Sequence, residues 1–163
     1  MISESELGGL RQAYRLAGGS PDPSTQVGAV LFCEGGRRIG GYNHLPDQYD
    51  GHIDLNDRDE KYFYILHAES AVILRAARYG IATEAAVLVC VWAPCSWCAR
   101  AIVGAGISRV VTHQQRLDIS PPEYRTKLDK ALQYLIDSHV DVALYDGAIG
   151  GPKIRAHGRL WQP

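Results

Sequence analysis

Ala86-Val87-Leu88-Val89-Cys90-Val91-Trp92 runs directly into Pro94-Cys95-Ser96-Trp97-Cys98-Ala99-Arg100-Ala101-Ile102. The first stretch is a continuous apolar run, the pattern of a strand covered on both faces. Pro94 opens a helix, where its missing N–H costs nothing, and Gly104 and Gly106 end it. A strand feeding a helix in this way is the unit of an α/β fold. The same junction carries chemistry. Cys95 and Cys98 are three residues apart, on one face of the new helix, and the partial positive charge at its N-terminus favours thiolates. Upstream, His67-Ala68-Glu69 begins another helix that runs to about Tyr79 and closes at Gly80.

Working outward, Ser3 to Ala17 places Leu7, Leu10, Tyr14 and Ala17 on one helical face, with Arg11 and Arg15 toward solvent. Gly18-Gly19-Ser20-Pro21 ends that helix. Val27–Cys33 reads as a buried strand, Glu34-Gly35-Gly36 as a turn, and Arg38–Tyr42 as the partner strand. Asn43 to Glu60 has no period and reads as a long loop, a lid or binding loop. Lys61–Leu66 is an aromatic approach to the helix at His67. Ser108–Thr112 is a short strand, Pro121–Ser138 carries a helical pattern, and Val140–Tyr145 is the last strand. Asp146–Pro163, with four glycines and two prolines, is expected to be an irregular flap. The order predicts one domain over residues 1–163, a three-layer α-β-α sandwich on a five-stranded mixed sheet, with parallel pairing after the hairpin.

Composition bounds the function. At 163 residues, with 46% hydrophobic and 21% charged residues, the chain suits an ordinary globular domain. There is no apolar run of membrane-spanning length and no secretory pattern, so a cytoplasmic protein is expected. A formal charge of −1 argues against a general nucleic-acid binder but leaves room for a small anionic substrate. Cys33 and Cys90 sit in apparent core strands, which leaves Cys95 and Cys98 as the ligand pair in a reducing compartment.

A lone Cys-x-x-Cys could be a redox pair or half of a structural zinc knuckle. A structural site would show a fourth Cys or His at regular spacing, and none is present. His67, Cys95 and Cys98 instead make three ligands for Zn2+, with a fourth position open for water. Glu69 is placed to move protons on and off that water. The pattern His-x-Glu…Pro-Cys-x-x-Cys is that of zinc nucleobase deaminases, which points to hydroxide attack on the amidine carbon of an aminopyrimidine or aminopurine. His113, His139 and His157 have no ligand spacing and read as structural or surface residues. His44 and His52 with Asp47, Asp50 and Asp54 could hold a second metal, although acidic loops are usually just solvated.

With these residues in hand, the chain resembles the deoxycytidylate deaminase family of the cytidine deaminase superfamily, from about Tyr14 to Tyr145. The resemblance rests on Asp22-Pro23-Ser24-Thr25-Gln26-Val27-Gly28-Ala29-Val30, Gly41-Tyr42-Asn43, Glu60-Lys61-Tyr62, the two ligand motifs, and Cys98-Ala99-Arg100-Ala101-Ile102. It implies a nucleotide substrate, deamination of deoxycytidine monophosphate (dCMP), and a homo-oligomer, dimer or hexamer. It places Asn43 near the sugar, Val27-Gly28-Ala29 along the base pocket, and the Ala68 backbone at the ring carbonyl. For Val27 and Ala29, plain strand packing is the competing reading. Trp92 could stack on the base or simply fill the core. Lys61, Arg58 and Arg100 are the candidate phosphate partners. Where many members read Gly-Tyr-Asn-Gly-Met-Pro, this chain has Gly41-Tyr42-Asn43-His44-Leu45-Pro46, so control by nucleoside triphosphates does not carry over. A 5-substituted deoxycytidylate, an RNA base of the transfer-RNA adenosine type, and a non-catalytic zinc-binding subunit remain alternatives.

Overall fold

The computed structural model describes residues 1–49 and 51–163. Its centre is a five-stranded mixed sheet in the order β2-β1-β3-β4-β5, formed by β1 (Gly28–Phe32), β2 (Arg38–Tyr42), β3 (Val87–Cys90), β4 (Arg109–His113) and β5 (Asp141–Tyr145). β1 pairs antiparallel with both β2 and β3, whereas β3, β4 and β5 run parallel. The connection from β3 to β4 is the helix α4 (Ser96–Gly104), and that from β4 to β5 includes α6 (Pro122–Asp137). Helical crossovers of this kind are what permit parallel neighbours.

Two consecutive glycines of β2 reveal the layers. A Cβ at Gly40 would meet Leu16 of α1 (Glu4–Ala17), while one at Gly41 would meet Val72 and Ala71 of α3 (Ala68–Arg78). Successive strand residues point to opposite faces, so α1 and α3 cover opposite sides of the sheet. α4 packs against both α3 and α6, which puts these three together. Between the layers Val30, Leu31, Leu88, Val89, Val110 and Val111 are wholly buried. α1 is started by a reciprocal cap, in which the Glu6 amide donates to Ser3 Oγ and the Ser3 amide to Glu6 Oε2. Cys33 and Cys90 are buried free thiols, as expected of core strand residues. Among the described residues no helix is long and apolar enough to cross a membrane.

Two local expectations are corrected, and one stretch without a sequence signal is helical. The stretch read as loop and aromatic approach contains a helix, α2 (Arg58–Tyr64), started by the Asp57 side chain accepting from the amides of Asp59 and Glu60. A second short helix, α5 (Gln114–Asp118), follows β4 directly. Both are too short to show a hydrophobic period. The C-terminal segment is not simply an irregular flap. Ile154–Ala156 (β6) and Arg159–Trp161 (β7) pair antiparallel across His157-Gly158, both at positive φ, and a two-residue hairpin turn of this twist requires that conformation.

β1 lies unusually close to α1. A Cβ on Gly28 would fall 2.0 Å from the Ala13 carbonyl oxygen and 2.8 Å from the Ala17 nitrogen, both immovable backbone atoms. Gly28→Ala should therefore cost about 3 kcal/mol or more, seen as a lower denaturation midpoint. Gly8, in the same helix, has nothing within 4 Å of its virtual Cβ. Gly8→Ala should shift the midpoint the other way, by about 0.5–1 kcal/mol.

Candidate metal centre and substrate cavity

α3 and α4 start at the same place. His67 is the residue before the first turn of α3 and Cys95 the residue before the first turn of α4, and neither side chain caps its own helix. Serine, threonine, aspartate and asparagine are the usual occupants of that position. Here the stabilisation a cap would give is forgone, and the two side chains turn toward each other. Pro94 lies just outside α4, one residue before the cap, so the helix begins slightly later than its sequence suggests. Cys98 is in the first turn of α4.

His67 Nδ1 lies 3.5 Å from Cys95 Sγ and 3.5 Å from Cys98 Sγ. The three ligand atoms lie within 4.8 Å of one another, and among the described residues no other group of histidine, cysteine and acidic side chains does so. Zinc–sulfur bonds of about 2.3 Å and zinc–nitrogen bonds of about 2.0 Å at tetrahedral angles put nitrogen and sulfur roughly 3.5 Å apart. Both nitrogen–sulfur distances match that ion. Ser70 Oγ sits 3.5 Å from Cys98 Sγ, an outer hydrogen bond that supports the thiolate. Asp50 of the proposed second site lies outside the described residues; of its companions, His44 Nε2 reaches Asp47 Oδ1 only at 3.9 Å.

The charges of this cluster are coupled. The Cys95 thiol is pulled down to about 4, first by the hydrogen bond from Cys98 and then by His67. Its bond to Cys95 lifts the His67 imidazole to about 9, against the effect of burial. Cys98, donating to Cys95 and buried, is held above the ordinary thiol range. Glu69, also in the first turn of α3, is buried and reaches about 7 because burial disfavours its charge.

Beside the cluster lies a cavity of about 140 Å³. His67, Glu69 and Cys95 line it, together with Val27, Asn43, Lys61, Ala68 and Trp92. The Ala68 amide, at the first helical position, has no acceptor within its own helix. Gly28 and Ala29 are corrections, since neither lines the cavity. The Gly28 face of β1 is pressed on α1, and Ala29 is buried opposite Gly41 in the layer facing α3. Only Val27, just before the strand, reaches the open space. Arg100 also stays away, folded 4.2 Å over the Trp97 ring on the exposed side of α4.

Asn43 is committed to the protein. Its Oδ1 accepts from the Val27 amide at 2.8 Å, and its Nδ2 donates to the Thr25 carbonyl at 2.9 Å. Asp22, not singled out by its sequence, is the hub of the same loop. Its Oδ1 accepts from the amides of Ser24 and Thr25, and from Lys61 Nζ at 3.2 Å in a buried ion pair. Asp22-Pro23-Ser24-Thr25 has the composition of an aspartate turn, which was the available signal. Tyr62, Ile65, Tyr124 and Leu128 complete the apolar wall. Tyr124 and Leu128 come from α6, some thirty residues beyond the ligand motif, where the helical period marks Leu128 only as core.

An adjoining groove shares Thr25, Lys61, Tyr62, Trp92 and Tyr124 with the cavity. It is further lined by Ser24, Arg58 and His157, and it contains no carboxylate. Arg58 donates to the Tyr124 hydroxyl and lies 5.5 Å from the Tyr62 ring.

Comparison with known proteins agrees with this geometry. The cytidine and deoxycytidylate deaminase zinc-binding region matches residues 4–114. A deaminase from the luxG 3' region of Aliivibrio fischeri is 35% identical over 118 residues, covering 72% of this chain and 78% of that protein. Human deoxycytidylate deaminase is 30% identical over 106 residues, 61% of this chain and 58% of its own, so the chain spans little more than half of that relative. The fold matches dCMP deaminase from cyanophage S-TIM5 with a TM-score of 0.68 at 20% identity, over 89% of this chain and 100% of that one. With a zinc-binding region matched across His67, Cys95 and Cys98, the cofactor is Zn2+, and the chain belongs to the cytidine and deoxycytidylate deaminase family.

Proposed function

We propose that this chain deaminates deoxycytidine monophosphate to deoxyuridine monophosphate and ammonia. The observation that carries the reading is a buried carboxyl, Glu69, facing the same cavity as His67 and Cys95, with an adjoining groove that carries Arg58 and no carboxylate. The relatives named deoxycytidylate deaminase support the substrate. In this reading His67, Cys95 and Cys98 are the zinc ligands, and zinc when bound supplies an acidified water as nucleophile.

The chain's own residues do the rest. Glu69 takes one proton from the nucleophilic water and passes it to the ring nitrogen N3; it then takes the remaining hydroxyl proton at C4 and gives it to the departing amine, which leaves as ammonia as the carbonyl forms. It can do so because α3 buries it away from bulk water while leaving it open to the cavity. The Ala68 amide offers a hydrogen bond to the ring carbonyl. Trp92 covers the base, and Asn43 and Asp22 act by fixing the loop that carries Thr25 and Val27. Beyond the sugar, Lys61 and Arg58 at the groove receive the phosphate. Phe63 and Trp97, 82% and 76% exposed beside residues of the site, fit burial in a homo-oligomer.

Glu69→Gln should retain one zinc per chain yet lose dCMP turnover by about two orders of magnitude or more, while Cys98→Ala should lose the metal as well. Zinc content measured alongside ammonia release separates these. Wild type should favour dCMP over deoxycytidine chiefly through KM, and Arg58→Ala should narrow that preference without altering kcat on deoxycytidine. Equal efficiency on both substrates would remove the phosphate from the reading. Inactivity on dCMP with turnover of 5-methyl-deoxycytidylate would replace the substrate.

A further inference from the structure

Arg116 of α5 is wholly buried, and its Nε and Nη2 have no hydrogen-bond partner. Among the described residues it forms no ion pair. Burying a guanidinium with donors unmet is costly, and an apolar side chain would fill the space without that penalty. What Arg116 does touch lies at the substrate cavity. Its guanidinium carbon sits 4.7 Å above the Trp92 ring, and its Nη1 donates to His157 Nε2 at 3.0 Å. His157 must therefore be neutral, consistent with burial and the nearby Arg116 charge pulling it down to about 4.

His157 stands at the tip of the β6–β7 hairpin with φ 52°, a conformation uncommon for a side-chain-bearing residue. Its ring meets Trp92 edge-on at 5.0 Å. The indole is held from its other end, where Trp92 Nε1 donates to Ser120 Oγ at 2.9 Å. The hairpin is also sewn to the loop that carries Thr25. Gly158 donates its amide to the Ser24 carbonyl at 2.8 Å, Gln26 donates to the Arg155 carbonyl at 3.0 Å, and the Arg155 amide returns to Gln26 Oε1 at 2.8 Å. One short hairpin thus braces two separate walls of the cavity.

We propose that Arg116 and His157 are positioning residues that clamp Trp92 and the Ser24–Gln26 loop into the nucleotide-binding wall, making the C-terminal hairpin a working part of the substrate site. The inference rests on the deaminase reading and assigns to the tail a role that the matched zinc-binding region, ending at residue 114, does not contain. Arg116 works through the face of Trp92, where a desolvated cation–aromatic contact holds the ring at a fixed tilt. His157 supplies the acceptor that keeps the guanidinium in place.

The test uses the full chain and the variants Arg116→Met and His157→Asn, the latter because asparagine tolerates positive φ. Both should raise KM for dCMP about fivefold or more while kcat stays within about twofold and zinc content is unchanged. In a Trp97→Phe, Trp161→Phe background, both should also make Trp92 more accessible to acrylamide quenching. Unchanged KM and unchanged quenching in folded variants would overturn the clamp, as would a fall in kcat accompanied by zinc loss. If Arg116→Met does not fold, His157→Asn alone decides. A wild type inactive on dCMP would refute dCMP as the substrate, and the quenching comparison would still judge the clamp.

Discussion

Everything at the site depends on two helix starts being brought to one point. α3 and α4 enter from different connections, yet His67 and Cys95 both occupy the residue before the first helical turn. That position frees the side chain to point away from its own helix, while unsatisfied amides and the helix dipole surround it with positive potential. The Cys95 thiolate is favoured there, while burial still holds the Glu69 carboxyl up at about 7. Glu69, in the first turn of α3, draws on the same feature. The cluster lies beyond the C-terminal end of β3, where open parallel sheets generally place their ligands.

The sheet exists to hold those helices in register. Gly28 lets β1 approach the α1 backbone more closely than any larger residue could. On the opposite face, Gly41 leaves space for Val72 and Ala71 of α3, which fixes the height of His67 and Glu69. At the C-terminal end of β4, the Tyr14 hydroxyl donates to His113 Nδ1 at 2.7 Å, and His113 Nε2–H donates to the Gly147 carbonyl at 2.9 Å. Trp161 packs on both rings, at 5.6 and 5.5 Å. The α1 face of the sheet thereby anchors the C-terminal segment, whose hairpin tip reaches around to the cavity.

What could be read in the sequence was what repeats or carries rare chemistry. The continuous apolar runs mark β1 and β3, the helical period marks α1 and α6, Gly80 marks the end of α3, and Cys95-Ser96-Trp97-Cys98 with His67 and Glu69 identifies the metal cluster because few other functions use that spacing. The substrate wall was less legible. Gly28 reads as room for a ligand, but its missing side chain serves α1. Asn43 lines the cavity, with its side-chain amide bonded to Val27 and Thr25, a pairing that no local pattern announces. Tyr124, Leu128, Arg116 and His157 are distant in sequence and have no local motif, so only tertiary packing shows that they reach Trp92 or the cavity. α2 was hidden by its seven-residue length, although its Asp57 cap was legible.

Zinc-edge X-ray absorption on the zinc-loaded protein tests the central claim most directly, because it counts the ligands of the metal without relying on any substrate. The account requires two sulfur scatterers at about 2.3 Å and two nitrogen or oxygen scatterers at about 2.0–2.1 Å, one from His67 and one exchangeable with solvent. A shell with three or four sulfurs, or one unchanged when Cys98 is replaced by alanine, would contradict a His67–Cys95–Cys98 centre with an open fourth position.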